Sequence, residues 1–477
     1  MVGIISYGAY VPFHRLSRAE IAKAWGKREQ PGERAVANYD EDSLTMAVAA
    51  AIYCTKNMDI DSIDGVYFAS TTSPHKEKQS AAMIATILGL NRKTFTADFS
   101  GSLRGGTNAL RAAIDAVNSG SARNVLVCAS DVRLGYPGGD YEMFFGDGAV
   151  ALIIGNKGAV AEIESSYMIY NELQDVWRTD RDTFVRSAEE RFIIDEGYNK
   201  IIPEAVSGAL SEFNLSPGDF AKVALNSPNE RQLSALSRKL GFDMKTQVQD
   251  IMYTSVGNTG TAMSLMCLVS ALEESKGGDR VLLINYGNGC DVFNLKVTDQ
   301  IDKVKDKPGI KTYLESKRII SFYNKYIRWR ELMVTQPAAR PPVEERQPSP
   351  QAQYRENQKE LRLRGTKCNN CGTPQYPPQR VCIVCRTKDD FEYYSFLDKK
   401  GKVFSFSHDY VMETLDPPVT TTVVDFEGGG RILCDTTDRD PEEIKVGMPV
   451  EMTFRRLYYV GGIYNYWWKC RPERFES

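Results

Sequence analysis

Asp98-Phe99-Ser100-Gly101-Ser102-Leu103-Arg104-Gly105-Gly106-Thr107-Asn108-Ala109-Leu110 is a turn of small residues that runs into a helix-forming stretch. Behind it Ala112, Ala113, Ala116 and Val117 continue at helical spacing. Such a turn gathers backbone N–H groups and the positive end of a helix dipole, a setting that suits negative charge. One copy is a weak signal, because many buried helices begin after glycine. A second copy strengthens it: Ser255-Val256-Gly257-Asn258-Thr259-Gly260-Thr261-Ala262-Met263-Ser264-Leu265 again opens an apolar helix. Two halves, each with a turn-to-helix elbow, can build one site between them.

Outward from the elbows the chain reads as two similar halves, residues 1–158 and 159–335. Val66–Ser70, Val125–Ser130 and Ala149–Gly155 are short apolar runs that end in small residues, as buried strands do. Helical patterns lie between them at Asp42–Lys56, Ser80–Leu88 and Thr107–Ser119. The second half repeats the plan, with helices predicted over Tyr198–Phe213, Arg231–Leu240 and Thr261–Glu274 and strands at Lys222–Asn226 and Arg280–Gly287. Alternating strands and helices argue for an α/β layered sheet, and the internal repeat is its strongest support. The spacing of Ile319, Ile320, Tyr323, Tyr326 and Ile327 predicts an amphipathic helix over Lys317–Val334, docked on its own protein.

Residues 336–353 carry Pro337, Pro341, Pro342, Pro348 and Pro350 and read as an extended linker. Beyond it Cys368-Asn369-Asn370-Cys371 and Cys382-Ile383-Val384-Cys385 are separated by ten residues. Paired C-x-x-C turns at this spacing can surround one zinc tetrahedrally, and four thiolates close its coordination, so the zinc is expected to be structural. Residues 354–390 are assigned to this ribbon. Residues 391–477 are rich in aromatic and β-branched runs and read as a small β-barrel.

With 477 residues, 42% of them hydrophobic, the chain has room for two or three domains and large cores. A net charge of −3 gives no global reason to expect nucleic acid or an anionic membrane. Met1–Val11 reads as a strand rather than a signal peptide, and the longest apolar helix, Thr261–Leu272, is too short to span a bilayer. Six cysteines are scattered outside the paired turns, the pattern of reduced thiols in a cytoplasmic protein. There are only three histidines, His14, His75 and His408.

The pair of elbows resembles the thiolase superfamily, most closely its 3-hydroxy-3-methylglutaryl-CoA synthase and ketoacyl synthase III branch. Asp98 and Thr107 match the first elbow of that family, Gly257-Asn258-Thr259 matches the second, and Gly146-Asp147-Gly148 is family-like. The resemblance implies an αβαβα layered fold. Ribbon and barrel resemble the zinc-ribbon/OB-fold domain that accompanies thiolase-family proteins in acyl-CoA metabolism. By the same resemblance Leu103 stands where the nucleophilic cysteine would, Asn226 where the histidine would, and Thr72 where the synthase glutamate would. Leucine forms no thioester. Cys290, on the loop Tyr286-Gly287-Asn288-Gly289-Cys290, is the one thiol worth testing as a substitute, although a small pocket-lining residue is the commoner role there.

What the resemblance leaves is a site with helix elbows and amide donors but no covalent apparatus. Asn258 and Asn226 are the expected catalytic groups, with Ser102, Leu103, Thr72, Gly289 and Cys290 expected to line the acyl-CoA site. Two readings fit. In one, enolate chemistry on a CoA thioester, aldol or Claisen in type, proceeds on oxyanion donors alone. A condensing acyltransferase that uses another thiol is the enzyme alternative. In the other reading the domain is a non-catalytic acyl-CoA-binding or scaffold subunit. A homodimer or larger assembly, with a second thiolase-family chain as an open partner, is what the resemblance implies.

Overall fold

The computed structural model describes residues 1–305, 307–336, 350–460 and 462–475. They fall into two compact units. Met1–Ala37, Asp42–Ala85 and Leu90–Tyr323 form the first, and Asn38–Glu41, Thr86–Gly89 and Asn324–Ser477 the second.

The apolar runs of the first unit become one nine-stranded sheet. Its strands are β1 (Gly3–Tyr10), β2 (Ile63–Ala69), β3 (Phe95–Phe99), β4 (Asn124–Asp131), β5 (Gly148–Gly155), β6 (Ala161–Tyr170), β7 (Lys222–Leu225), β8 (Arg280–Tyr286) and β9 (Gly289–Val297). Their spatial order is β7-β8-β9-β6-β1-β5-β4-β2-β3. The duplication is written in this order. In the first half β3 and β4 flank β2 in parallel, and β5 and β1 follow antiparallel. In the second, β7 lies parallel to β8, and β9 and β6 follow antiparallel. Among the described residues the second half lacks a counterpart of β3; a lone parallel bridge from Val223 to Val248 stands in its place. Every residue of β5 and all but the first of β4 are buried, which is why they read as unbroken apolar runs.

The described helices of eight residues or more are α1 (Ser43–Thr55), α2 (Ser80–Ile87), α3 (Gly105–Asn118), α4 (Asn199–Phe213), α5 (Glu230–Leu240) and α6 (Met263–Glu274). The two elbow helices lead into the middle of the fold: α3 packs on β2, β4 and β5, and α6 on β7 and β8 of its own half and on β1 and β5 of the other. The elbows meet where Gly106 lies against the backbone of Thr261; a Cβ on Gly106 would stand 2.5 Å from the Thr261 carbonyl oxygen. No described helix is long and apolar enough to cross a membrane.

The helix expected over 317–334 is not continuous. Arg318–Ile319 pairs in parallel with His14 and Arg15, and α7 begins only at Tyr323 and ends at Trp329. Strand pairing consumes the backbone donors that a helix would need: Arg318 N–H goes to Phe13 O (2.8 Å) and Ile320 N–H to Arg15 O (2.7 Å). Most of the expected linker, residues 337–349, lies outside the described residues. Its end is helical over Pro350–Arg355, with proline at the first position, where no intrahelical N–H is required.

In the second unit Arg364–Cys368, Pro374–Gln375 and Phe391–Ser395 form a three-stranded antiparallel sheet. A five-stranded sheet follows in the order 431–435, 419–426, 401–409, 449–460, 463–472. Val419–Phe426 alternates in burial, turning Thr420, Thr422, Val424 and Phe426 inward. Among the described residues the ladder is not closed; one bridge from Thr436 to Cys470 links its far sides. Arg455 is buried among Asp40, Glu41 and Asp438, and Lys469 reaches Asp40 at 3.0 Å, an ionic cluster inside this unit.

Candidate active site

The first elbow opens onto a cavity of ≈ 790 Å³ in the first unit. Asp98, Ser100, Gly101, Ser102 and Leu103 line it, together with Gly287 and Asn288 of the β8–β9 hairpin. Ser102 ties the two together: its hydroxyl donates to Gly287 O (3.3 Å) and accepts from Arg104 N–H (3.2 Å). Asp98 caps α2, accepting from the N–H groups of Ser80 (2.7 Å) and Ala81 (2.8 Å).

Behind Leu103 lies a closed polar network. Thr107 Oγ1 donates to Asp291 Oδ2 (2.6 Å) and accepts from Asn285 Nδ2 (2.9 Å), whose own Oδ1 accepts from Asn226 Nδ2 (2.9 Å). Arg104 lies 3.3 Å from Asp291 and donates to the carbonyls of Ile169 (2.7 Å) and Asn288 (3.1 Å). The structure therefore brings Asn226 to the elbow, with its amide engaged by Asn285. Asn229, three residues further on, caps α5 by accepting from Gln232 N–H (2.9 Å). Gly289 has φ +123, and a side chain there would collide with Ile169 O and the Arg104 guanidinium; it serves the hairpin and is not among the cavity-lining residues. Cys290 is fully buried on β9 and also absent from the lining. Burial, then the Asp291 charge, pushes its thiol well above the ordinary range.

The second elbow meets the cavity differently. Asp131, at the end of β4, is fully buried and holds both flanks. Its Oδ1 accepts from Ser70 Oγ (3.0 Å), Thr71 N–H (2.7 Å), Thr71 Oγ1 (3.1 Å) and Thr72 Oγ1 (2.9 Å). Its Oδ2 accepts from Thr261 N–H (2.8 Å) and Oγ1 (3.0 Å). Thr72 is thus bound to Asp131, and it is Ser70 and Thr71 that line the cavity. Asn258 is half-buried and outside the lining; its Oδ1 accepts from Gly260 N–H (2.9 Å), and no bond is formed by its NH2 group among the described residues. Arg133 lines the cavity, and its Cδ lies 2.9 Å from where a Cβ on Gly260 would fall, so the second elbow abuts the cavity through this arginine.

Sequence reasoning missed several cavity groups. Asp175 comes from the segment after β6, where Val176–Trp177 pairs with Arg186–Ser187. Burial raises its carboxyl above the usual range, opposed by the Val176 N–H (2.6 Å). His75 lines the same space; burial and Lys78 disfavour its charged form. Arg178, Lys76 and Lys78 complete the cationic part of the wall. Asp131 and Arg133 had a readable signal: polar residues directly after an apolar strand stand at the carboxyl edge of the sheet, where α/β folds place ligands. Asp175 had none, since its segment has no periodic pattern.

In the second unit the four cysteines converge. The sulfurs of Cys368, Cys371, Cys382 and Cys385 all lie within 4.8 Å of one another, with Cys368–Cys385 at 3.6 Å and Cys371–Cys382 at 3.5 Å. Tetrahedral zinc with Zn–S of about 2.3 Å sets sulfurs about 3.8 Å apart, so the donor set fits. The two turns are near copies. Cys368 N–H bonds Thr373 O (3.0 Å) and Cys382 N–H bonds Thr387 O (2.9 Å). Thr373 and Thr387 hydroxyls lie 3.1 and 3.2 Å from the Cys371 and Cys385 sulfurs.

A duplicated half-sheet with paired elbows, followed by ribbon and barrel-type sheet, defines a thiolase-like α/β protein with C-terminal zinc-ribbon and OB-fold domains. Family models agree: 3-oxoacyl-[acyl-carrier-protein] synthase III matches residues 97–171 and its C-terminal model 210–295. The ChsH2 rubredoxin-like zinc ribbon matches 359–392 and the ChsH2 C-terminal OB-fold 394–455. Hydroxymethylglutaryl-CoA synthase of Methanopyrus kandleri is 33% identical over 69% of this chain and 97% of its own length. That of Aeropyrum pernix is 35% identical over 70% and 95%. The chain belongs to this hydroxymethylglutaryl-CoA synthase family, with a zinc ribbon and OB-fold fused behind it. A solved HMG-CoA synthase complexed with CoA shares the fold at TM-score 0.64 and 19% identity, over 73% of this chain and 95% of that one.

Proposed function

We propose that this protein makes or cleaves a carbon–carbon bond on a CoA thioester without a cysteine nucleophile. The observation that carries the reading is the first elbow: it lines a ≈ 790 Å³ cavity with Leu103 among its wall residues, and no cysteine lines that cavity among the described residues. The relatives named above are hydroxymethylglutaryl-CoA synthases, and one solved neighbour holds CoA, which supports a CoA thioester as substrate. A thioester is already activated, so an aldol or retro-aldol step on a 3-hydroxyacyl-CoA needs oxyanion donors and a base. First-elbow N–H groups and the NH2 of Asn258 are the proposed donors. Asn226 is proposed to orient the elbow through Asn285. Asp175 is the proposed base for the hydroxyl proton. Being a raised carboxyl that must be ionised to act, it predicts turnover that rises with pH through its elevated pKa, and Asp175→Asn should abolish that limb. The fully buried Cys290 disfavours the acyltransferase alternative.

Screening 3-hydroxyacyl-CoAs for cleavage products tests the proposal; a protein that binds CoA but turns over none of them is a scaffold. The zinc site is proposed to be structural. Elemental analysis should give one zinc per chain, and Cys371→Ser should lose it and unfold the ribbon, because metal binding supplies much of so small a unit's folding free energy. Carefully purified protein without zinc overturns that assignment.

A further inference from the structure

We infer that Tyr286 is the positioning residue of the base: it donates its hydroxyl to the Asp175 carboxylate from outside the cavity. The assignment rests on the carbon–carbon reading above and adds a residue to it. Asp175 is 4% exposed and lines the cavity, and the Val176 N–H occupies only its Oδ1 (2.6 Å). Tyr286 ends β8, is 2% exposed and is absent from the cavity lining. Its hydroxyl is buried and faces the Asp175 carboxyl, and it has closed no hydrogen bond with a described group. A buried phenol costs free energy until it is bonded, so it is driven onto the acceptor it faces.

The surroundings of the hydroxyl are shaped for it. Gly197 makes its room: a Cβ there would stand 2.3 Å from the Tyr286 oxygen. Gly197 belongs to a π-helical turn, Ile193–Tyr198, directly before α4, a rare turn that recurs at functional sites. Tyr198 of the same turn packs its ring on that of Tyr286, 4.3 Å between centroids. Tyr286 is held in the β8–β9 hairpin by pairing with Cys290, and the next residue, Gly287, accepts from Ser102 of the first elbow. One hairpin therefore fixes both the elbow and the donor to the base. The groups around Asp175 act in opposite senses. Burial favours its neutral acid, while the Val176 N–H, Tyr286 and Arg133, just past β4, favour the carboxylate. Arg178 is a further cation of the cavity wall. Burial keeps Tyr286 protonated, and likewise Tyr198 and Cys290 beside it, so Tyr286 remains a donor wherever Asp175 ionises.

Two titrations of the full-length, zinc-loaded chain test this. The first follows the Asp175 carboxyl directly, by carbon NMR of protein labelled at the aspartate carboxyl carbon, with Asp175→Asn to assign the resonance. The second follows turnover against pH for the 3-hydroxyacyl-CoA that the cleavage screen selects, starting from 3-hydroxybutyryl-CoA. Tyr286→Phe keeps the ring and removes the donor. The resonance midpoint and the rising limb of turnover should both move up by about one pH unit, the worth of a hydrogen bond to a charged group. Turnover below the limb should fall about tenfold and recover on the plateau. Gly197→Ala, which displaces the hydroxyl, should move both in the same direction. A merely structural role would lower turnover at every pH and leave the midpoint in place. An unmoved midpoint in Tyr286→Phe overturns the assignment; if that variant does not fold, an unmoved midpoint in Gly197→Ala does so. If the midpoint moves but the parent protein cleaves no 3-hydroxyacyl-CoA, the carbon–carbon reading falls and the Tyr286–Asp175 bond stands.

Discussion

The two elbows look alike in sequence and differ in what they face. The first leaves Ser100 to Leu103 on the cavity wall and turns Thr107 back to bond Asn285 and Asp291. The second is held from below by Asp131 and abutted by Arg133, and none of Asn258 to Thr261 lines the cavity. A turn of small residues before a helix therefore does two jobs. It can bring backbone to a ligand, or it can let two helices approach closely. The Gly106–Thr261 crossing is the second job performed by a residue of the first elbow.

The comparison breaks most severely at Asp131. Asp131→Ala leaves the buried donors of Ser70 and Thr261, and the half-buried ones of Thr71 and Thr72, without their acceptor, at about 1–3 kcal/mol for each buried group, so a loss on the order of 4 kcal/mol is expected in denaturant unfolding. An unchanged midpoint would mean that the hub does not hold the second elbow. Next comes Asn258→Ala. If its unengaged NH2 reaches developing negative charge, turnover drops on the order of a hundredfold with CoA affinity nearly constant, because such a donor matters most in the transition state. Parental turnover would assign the second elbow to scaffolding and leave oxyanion stabilisation to the first elbow. Gly106→Ala should act more gently, forcing the helices apart at about 1–3 kcal/mol, read as a lowered melting temperature.

Much of this was legible in the chain. The duplicated sheet and the four zinc-type cysteines follow from patterns in which each residue's role depends on its sequence neighbours: period-two burial, helical spacing, C-x-x-C turns. The Lys317–Val334 helix failed because a distant strand, His14–Ser17, captured its backbone. The cavity's titratable wall was illegible for the same reason. Asp175, His75, Arg133 and Arg178 come from separate segments, and nothing local to any of them says that they share a space. Resemblance pointed to Thr72 and Cys290 by position in a motif. Their surroundings, a saturated Asp131 and a dry strand, are facts of packing.

The smallest expected effect is a null mass shift, and it sharpens the comparison most. After incubation with acetyl-CoA the intact mass should be unchanged. Leu103 has no nucleophile, and Cys290 is fully buried with its thiol driven upward by burial and Asp291, so it offers almost no thiolate. Cys54, Cys128 and Cys267 are equally buried, and burial raises each of them. Leu103→Cys supplies the control. A thiol placed there stands just before α3, where the helix N-terminus favours its thiolate, and an acyl adduct should map to position 103. An adduct at Cys290 in the parent protein would show that β9 opens in solution and would restore the acyltransferase alternative. An adduct only in the Leu103→Cys variant would show that the first elbow still presents an acyl thioester to this position, and that the missing sulfur, not a missing site, separates this chain from a covalent enzyme.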